Sequence, residues 1–141
     1  MHRKKLFMVL FAAYILILLK ITVFRAGFSW LGGTWNLEPF TALIQLWRQS
    51  AWRFIYLFGG NIVWFVPFGF FLRVFTKIHW VWIAVLGVLF SCSIELLQYV
   101  FGTGISELDD LILNSAGTAA GIFAGWCFEK YCTLKRKMHH K

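Results

Sequence analysis

The chain has 141 residues, 60% of them hydrophobic, 20% aromatic and only 14% charged, with a formal net charge of +8 and a mean hydropathy of +0.69. This balance excludes a soluble domain, in which about a quarter of residues are charged, and it excludes disordered, collagen-like and disulfide-dense chains. What remains is a small integral membrane protein, a single domain over residues 1–141.

Four apolar stretches are long enough to cross a hydrocarbon core as helices, at about 6–24, 54–75, 80–101 and 111–128, given that about 20 helical residues span it. The fold class expected is therefore all-α, a four-transmembrane-helix bundle. The first stretch follows Arg3, Lys4 and Lys5 as a signal peptide would, but it is long and lacks a small-residue cleavage site, so it reads as an uncleaved first span. The basic residues sit in small groups at the ends of these runs and form no aromatic-interleaved face, which points to membrane topology and away from nucleic acid.

Orientation follows from Lys and Arg alone. With both termini cytoplasmic, Lys20, Arg25, Arg48 and Arg53 are the basic residues left outside, and the other ten lie inside. The expected localisation is thus the cell membrane, multi-pass, with the acidic loop 102–110 outside.

The loop 25–53 is too long for a connector. From Pro39 onward Phe40, Leu43, Ile44, Trp47 and Ala51 recur at helical spacing, which predicts an amphipathic helix over about 39–52 lying in the outer interface or packed on the other helices. In the last span Gly117, Gly121 and Gly125 form a doubled small-xxx-small ridge. Such a ridge admits close backbone approach, either by another span of this chain or by a second protomer in an oligomer.

Polar residues inside the spans carry the functional signal. Glu95 costs about 3 kcal/mol to insert and should face a bundle interior or a wet cavity. Ser91, Glu95 and Gln98 form one stripe on the third span, and Asn114 and Thr118 another on the fourth; Asn61 stands beside Gly59 and Gly60 on the second. Counted from the predicted helix ends, Asn61 and Glu95 lie about 10 Å below the outer surface, and Gln98, Asn114 and Lys20 lie about 5 Å below it. Asp109 and Asp110 stand at the mouth of the fourth span, where negative charge favours a helix N-terminus. Together they predict an outward-opening polar pocket whose binding residues are Asn61, Glu95, Gln98, Asp109, Asp110 and Asn114. The competing expectation is that these groups bond to one another and only fix helix register.

Glu107, Asp109 and Asp110 offer oxygens for a hard cation but match no known loop spacing, and no metal or other cofactor is expected. Cys92, Cys127 and Cys132 imply no disulfide framework, and Cys127 and Cys132 with His139 and His140 make a poor zinc pattern. No catalytic triad, phosphate-cradling loop or HExxH helix is present.

Four segments resemble motifs of the VanZ-like family. Asn36-Leu37-Glu38-Pro39-Phe40 is similar to its NLxPF segment, and Gly60-Asn61-Ile62-Val63-Trp64-Phe65-Val66-Pro67-Phe68-Gly69 to its GNxxxFxPxG helix. Ser93-Ile94-Glu95-Leu96-Leu97-Gln98 is similar to xxxExxQ, and the stretch from Glu107 to Gly117 to DxDDxxxNxxG. They occur in the family's order. This chain departs by having Glu107 where Asp is usual, and Gly102-Thr103-Gly104-Ile105-Ser106 where many members carry an Arg.

The resemblance implies a Gram-positive envelope protein associated with low-level resistance to teicoplanin-type lipoglycopeptides. On that basis the pocket is expected to hold a lipid-anchored antibiotic or a lipid-linked wall precursor. Trp47 and Trp52 would take the acyl part, a peptide amine or sugar would meet the carboxylates, and Lys20 or Arg53 would meet any phosphate. The alternative is a membrane-embedded enzyme on a lipid-linked substrate, with Glu95 as general acid or base and Asp110 as its partner. No activated nucleophile is visible, so catalysis would have to use water or a metal, and no catalytic residue is assigned.

Overall fold

A computed structural model describes residues 2–24, 27 and 29–139. Arg25, His140 and Lys141, which entered the charge count and the zinc pattern above, lie outside the described residues. The elements in chain order are α1 (His2–Thr22), β1 (Thr34–Asn36), α2 (Thr41–Gln49), α3 (Ala51–Phe75), α4 (Trp80–Phe101), β2 (Ile105–Glu107) and α5 (Leu108–His139). The helices α1, α3, α4 and α5 are each long and apolar enough to cross a membrane. The protein is an all-α membrane bundle.

The pair α3 and α5 forms the most extensive contact, and the glycine ridge is the reason. A methyl group at Gly117 would strike the Ile62 carbonyl oxygen, and one at Gly121 the Val66 carbonyl oxygen. At Gly125 it would come 2.8 Å from Arg73 Cγ. From the other side Gly69 meets the Thr118 carbonyl in the same way. Two backbones in contact maximise dispersion where no water is released to drive association. The ridge is therefore filled by α3 of the same chain, with Gly117, Gly121 and Gly125 buried. Against α4, the other face of α5 uses hydrogen bonds: Asn114 Nδ2 donates to Ser91 Oγ at 2.9 Å.

The first helix is held more loosely. Phe7 stacks on Phe75 with centroids 4.7 Å apart, and Phe11 meets Phe68 at 6.0 Å. Pro67 has no N–H to give, so the local ladder of α3 is broken, and nearby the Trp64 carbonyl accepts the Tyr14 hydroxyl at 2.6 Å. Farther along, Leu18 and Val23 join Phe65 and Ile94 in the buried core.

One end of the bundle is capped by chain that the hydropathy pattern left as loop. The α4 helix stops at Gly102, which adopts φ 59°, with Gly102 N–H bonded to Tyr99 O at 3.2 Å and Thr103 N–H to Gln98 O at 3.1 Å. This is the paired bonding of a Schellman motif, and glycine takes the left-handed position without a Cβ clash. The last carbonyls of α4 would still lack donors. They receive them from the first long loop: Ser29 N–H to Phe101 O at 2.8 Å and Leu31 N–H to Val100 O at 2.9 Å. The loop then pairs β1 with β2 in parallel, Thr34 opposite Ile105 and Asn36 opposite Glu107.

The predicted amphipathic helix exists but is shorter than expected. Phe40, not Pro39, is the turning residue, in the left-handed region at φ 64°, and α2 begins at Thr41. It ends at Ser50, whose Oγ accepts the Arg53 N–H and so caps α3. Leu43 packs inward, Trp47 meets Phe54 edge-on at 5.3 Å, and Ile44 and Trp47 remain exposed. The opposite end of the bundle carries Arg73, Lys77 and Lys130, with Arg73 bridged to Glu129 at 2.6 Å.

Candidate functional site

The polar residues singled out in the sequence gather below the cap, in two sets. The first set is buried and bonded to the chain itself. Glu95, 5% exposed, accepts the Glu107 N–H on Oε2 at 2.9 Å. Its own backbone carbonyl accepts the Ser106 hydroxyl at 2.7 Å. Both bonds pin β2 to α4. Asp109, 2% exposed, accepts the Phe40 N–H on Oδ1 at 2.6 Å, which fixes the left-handed turn before α2. Asn114 spans to Ser91 as described, and Thr118 donates back to the Asn114 carbonyl at 3.1 Å.

The second set, Asn61, Gln98 and Asp110, faces a cleft of about 550 Å³. Its walls are one face of α3, Trp52, Ile55, Tyr56, Gly59, Gly60 and Val63, and the end of α1 at Ile21 and Thr22. Asn61 Nδ2 donates to Asp110 Oδ1. Gln98 Nε2 donates to the Thr22 carbonyl at 3.3 Å. Among the described residues, Gln98 Oε1 is buried without a partner, as are Asp109 Oδ2 and Thr103 Oγ1. A buried acceptor left unmet costs about 1–3 kcal/mol, and of these three residues only Gln98 lines the cleft.

Helix stagger brings this set together. Asn61 lies about 15 Å along α3 from Ala51, whereas Asp110 lies about 3 Å along α5 from Leu108. The two helices run parallel, so α3 stands about 12 Å proud of α5. The depths counted from predicted helix ends did not contain this offset. Lys20, expected at the depth of Gln98, is exposed on α1, and Arg53 is exposed at the start of α3.

Sequence reasoning missed Ile21, Thr22, Tyr56 and Trp64 as lining residues. The available signal was the spacing of Trp52, Tyr56, Gly59 and Val63, which lie on one helical face with the two small residues at its centre. No group of three or more His, Cys, Asp or Glu is placed to hold a metal ion among the described residues. The cysteines are free, with Cys92 and Cys127 exposed.

A bundle of four candidate spans closed at one end by folded loop, with a polar cleft under the closure, defines a polytopic membrane protein. The VanZ/LLP1 family profile matches residues 11–129, and the chain belongs to that family. It is 27% identical over 120 residues to Protein VanZ of Enterococcus faecium, an alignment covering 80% of this chain and 69% of that one. No solved structure matches the chain.

Proposed function

We propose that this protein is a non-enzymatic binder of lipid-anchored envelope molecules, a lipoglycopeptide antibiotic of the teicoplanin class or a lipid-linked wall precursor, held in the cleft between α1 and α3. The observation that carries this reading is the composition of the cleft: a mostly apolar wall that suits an acyl chain, closed by Asn61, Gln98 and Asp110. Small-molecule sites have this character, apolar surface with a few convergent polar groups. A resistance role follows if occupancy keeps the drug from its target.

The same reading places the capped end outside the cell and both termini in the cytoplasm. In support, Arg73, Lys77 and Lys130 stand at the opposite end, and cytoplasmic ends carry the excess of Lys and Arg. Glu95 supports binding over catalysis, because its carboxylate is used to hold β2 and it is not among the residues lining the cleft. A membrane-impermeant maleimide should label a cysteine placed at Gly104 in intact cells and leave Cys127 unlabelled; the reverse pattern would invert the topology.

The test of function is expression in a susceptible Gram-positive host, with inhibitory concentrations measured for acyl-bearing teicoplanin and acyl-free vancomycin. The expected result is a rise for teicoplanin alone, lost in Asp110→Asn and in Gly60→Leu at equal membrane abundance. No rise for either drug removes resistance from this protein's function.

A further inference from the structure

Every glycine inside a candidate span is packed against another helix except two. Gly69, Gly87, Gly117, Gly121 and Gly125 each lie against atoms that a Cβ would strike. A Cβ at Gly59 or Gly60 would meet nothing within 4 Å. Glycine weakens a helix relative to alanine, and no contact within the chain offsets that here. Both residues line the cleft, and they widen it by the side chains they lack.

Toward the start of α3 the cleft adjoins a second hollow of about 340 Å³, bounded by Arg53 with Trp52, Tyr56 and Leu57, the last three of which line both. Arg53, Tyr56, Leu57, Gly60 and Trp64 stand at i, i+3, i+4, i+7 and i+11, on one face of α3. Of the two basic residues that the sequence offered for a phosphate, this face carries Arg53, and Lys20 lines neither hollow. No Asp or Glu falls between Glu38 and Glu95, and among the described residues Arg53 enters no ion pair. On the orientation proposed above, Arg53 also stands on the side where Lys and Arg are sparse.

The order of residues along α3 matches the order of layers across one leaflet. Arg53 lies about 3 Å from the helix start at Ala51, Gly59 and Gly60 about 12–14 Å, and Val63 about 18 Å. Val63 is 65% exposed, and an exposed Val at that depth on a spanning helix faces lipid. The Tyr14–Trp64 bond ties α1 to α3 at the same level, so the mouth of the cleft opens on the bilayer between that tie and the cap. An amphiphile seated there keeps its head at the interface, beside Arg53, and its chain in the core, beside the two glycines. The Asp110 carboxylate does not oppose the head. It accepts from Asn61, about 12 Å farther along α3 than Arg53.

A guanidinium offers five N–H donors in a planar fork that matches phosphate oxygens two at a time, and its charge repels an ammonium. We infer that the ligand is an amphiphile with an anionic phosphate in its head, held by Arg53, with its apolar chain laid along Gly59 and Gly60. This rests on the proposed function and, of its two ligand classes, selects the lipid whose head is joined through phosphate.

The probe is phosphatidylglycerol against phosphatidylcholine with the same acyl chains; the first is anionic, and in the second the choline ammonium neutralises the phosphate. The purified full chain, in uncharged detergent with equal amounts of both lipids, is read by native mass spectrometry for the first lipid bound. Retention of phosphatidylglycerol over phosphatidylcholine by about tenfold is expected, the worth of about one charge-assisted bond. Arg53→Gln should bring the ratio toward one. Arg48→Gln removes the same charge from the last turn of α2, outside both hollows, and should leave the ratio unchanged. Gly60→Leu, whose side chain enters open space, should abolish retention of both lipids. Equal retention by the native chain, a preference kept in Arg53→Gln, or one lost equally in Arg48→Gln overturns the phosphate assignment. If Gly60→Leu still removes binding in that case, the cleft holds lipid and the proposed function stands. Retention unchanged in Gly60→Leu removes the cleft from both readings.

Discussion

Asp109 and Arg73 show how differently two charged side chains act in this protein. Asp109 is almost fully buried and accepts the backbone N–H of Phe40, a charge-assisted bond whose loss leaves an amide without a partner. Asp109→Ala is expected to cost about 2 kcal/mol, read as a lower midpoint of thermal unfolding in detergent. Asp109→Asn keeps an acceptor oxygen and should cost less than half of that. The Arg73–Glu129 bridge is shorter than an ordinary ion pair, but its side chains are 26% and 37% exposed. Exposed pairs contribute little, so Arg73→Ala should change stability by less than about 1 kcal/mol in the same assay. At this scale the sequence was half legible. That Glu95, Asp109 and Asn114 have polar partners could be expected from the cost of burying them. That those partners are Glu107 N–H, Phe40 N–H and Ser91 Oγ depends on how the loops fold back, which no hydropathy pattern records.

For the elements, the paired glycines make a controlled comparison. Gly117→Leu forces a side chain into the Ile62 carbonyl and should part α3 from α5; overpacking of this kind costs about 1–3 kcal/mol or more, and backbone cannot move aside as a flexible side chain can. Gly60→Leu should raise or preserve stability, because it gains helix propensity and meets open space. Limited proteolysis of the two variants at equal expression checks this contrast. The spans themselves were largely visible in the sequence, α4 over the expected 80–101. The α5 helix extends to His139, beyond the apolar limit near 128, because Glu, Lys, Leu and Arg continue a helix as readily as apolar residues do. The strands escaped notice since three residues are too few to display a period of two.

The whole molecule divides into a tight unit and a loose one. The tight unit is α3, α4 and α5, sealed by backbone contact and buried hydrogen bonds; α1 leans on it through aromatic rings and the Tyr14 hydroxyl. Tyr14→Phe should therefore spare the fold and loosen the mouth of the cleft. The expected signature is faster amide hydrogen exchange confined to α1, without a change elsewhere.

The cap also imposes an order on assembly. The Phe40 N–H and the Asp109 carboxylate that receives it are 69 residues apart in sequence, and synthesis at about 5–20 residues per second separates them by roughly 3–14 s. Through that interval α2, α3 and α4 are made while the NLEPF turn has nothing to close upon. Closure of the cap, and with it completion of the cleft, waits for the first turn of α5. A nascent chain halted before Glu107 should expose loop 29–40 to protease, and one extended past Gly117 should protect it.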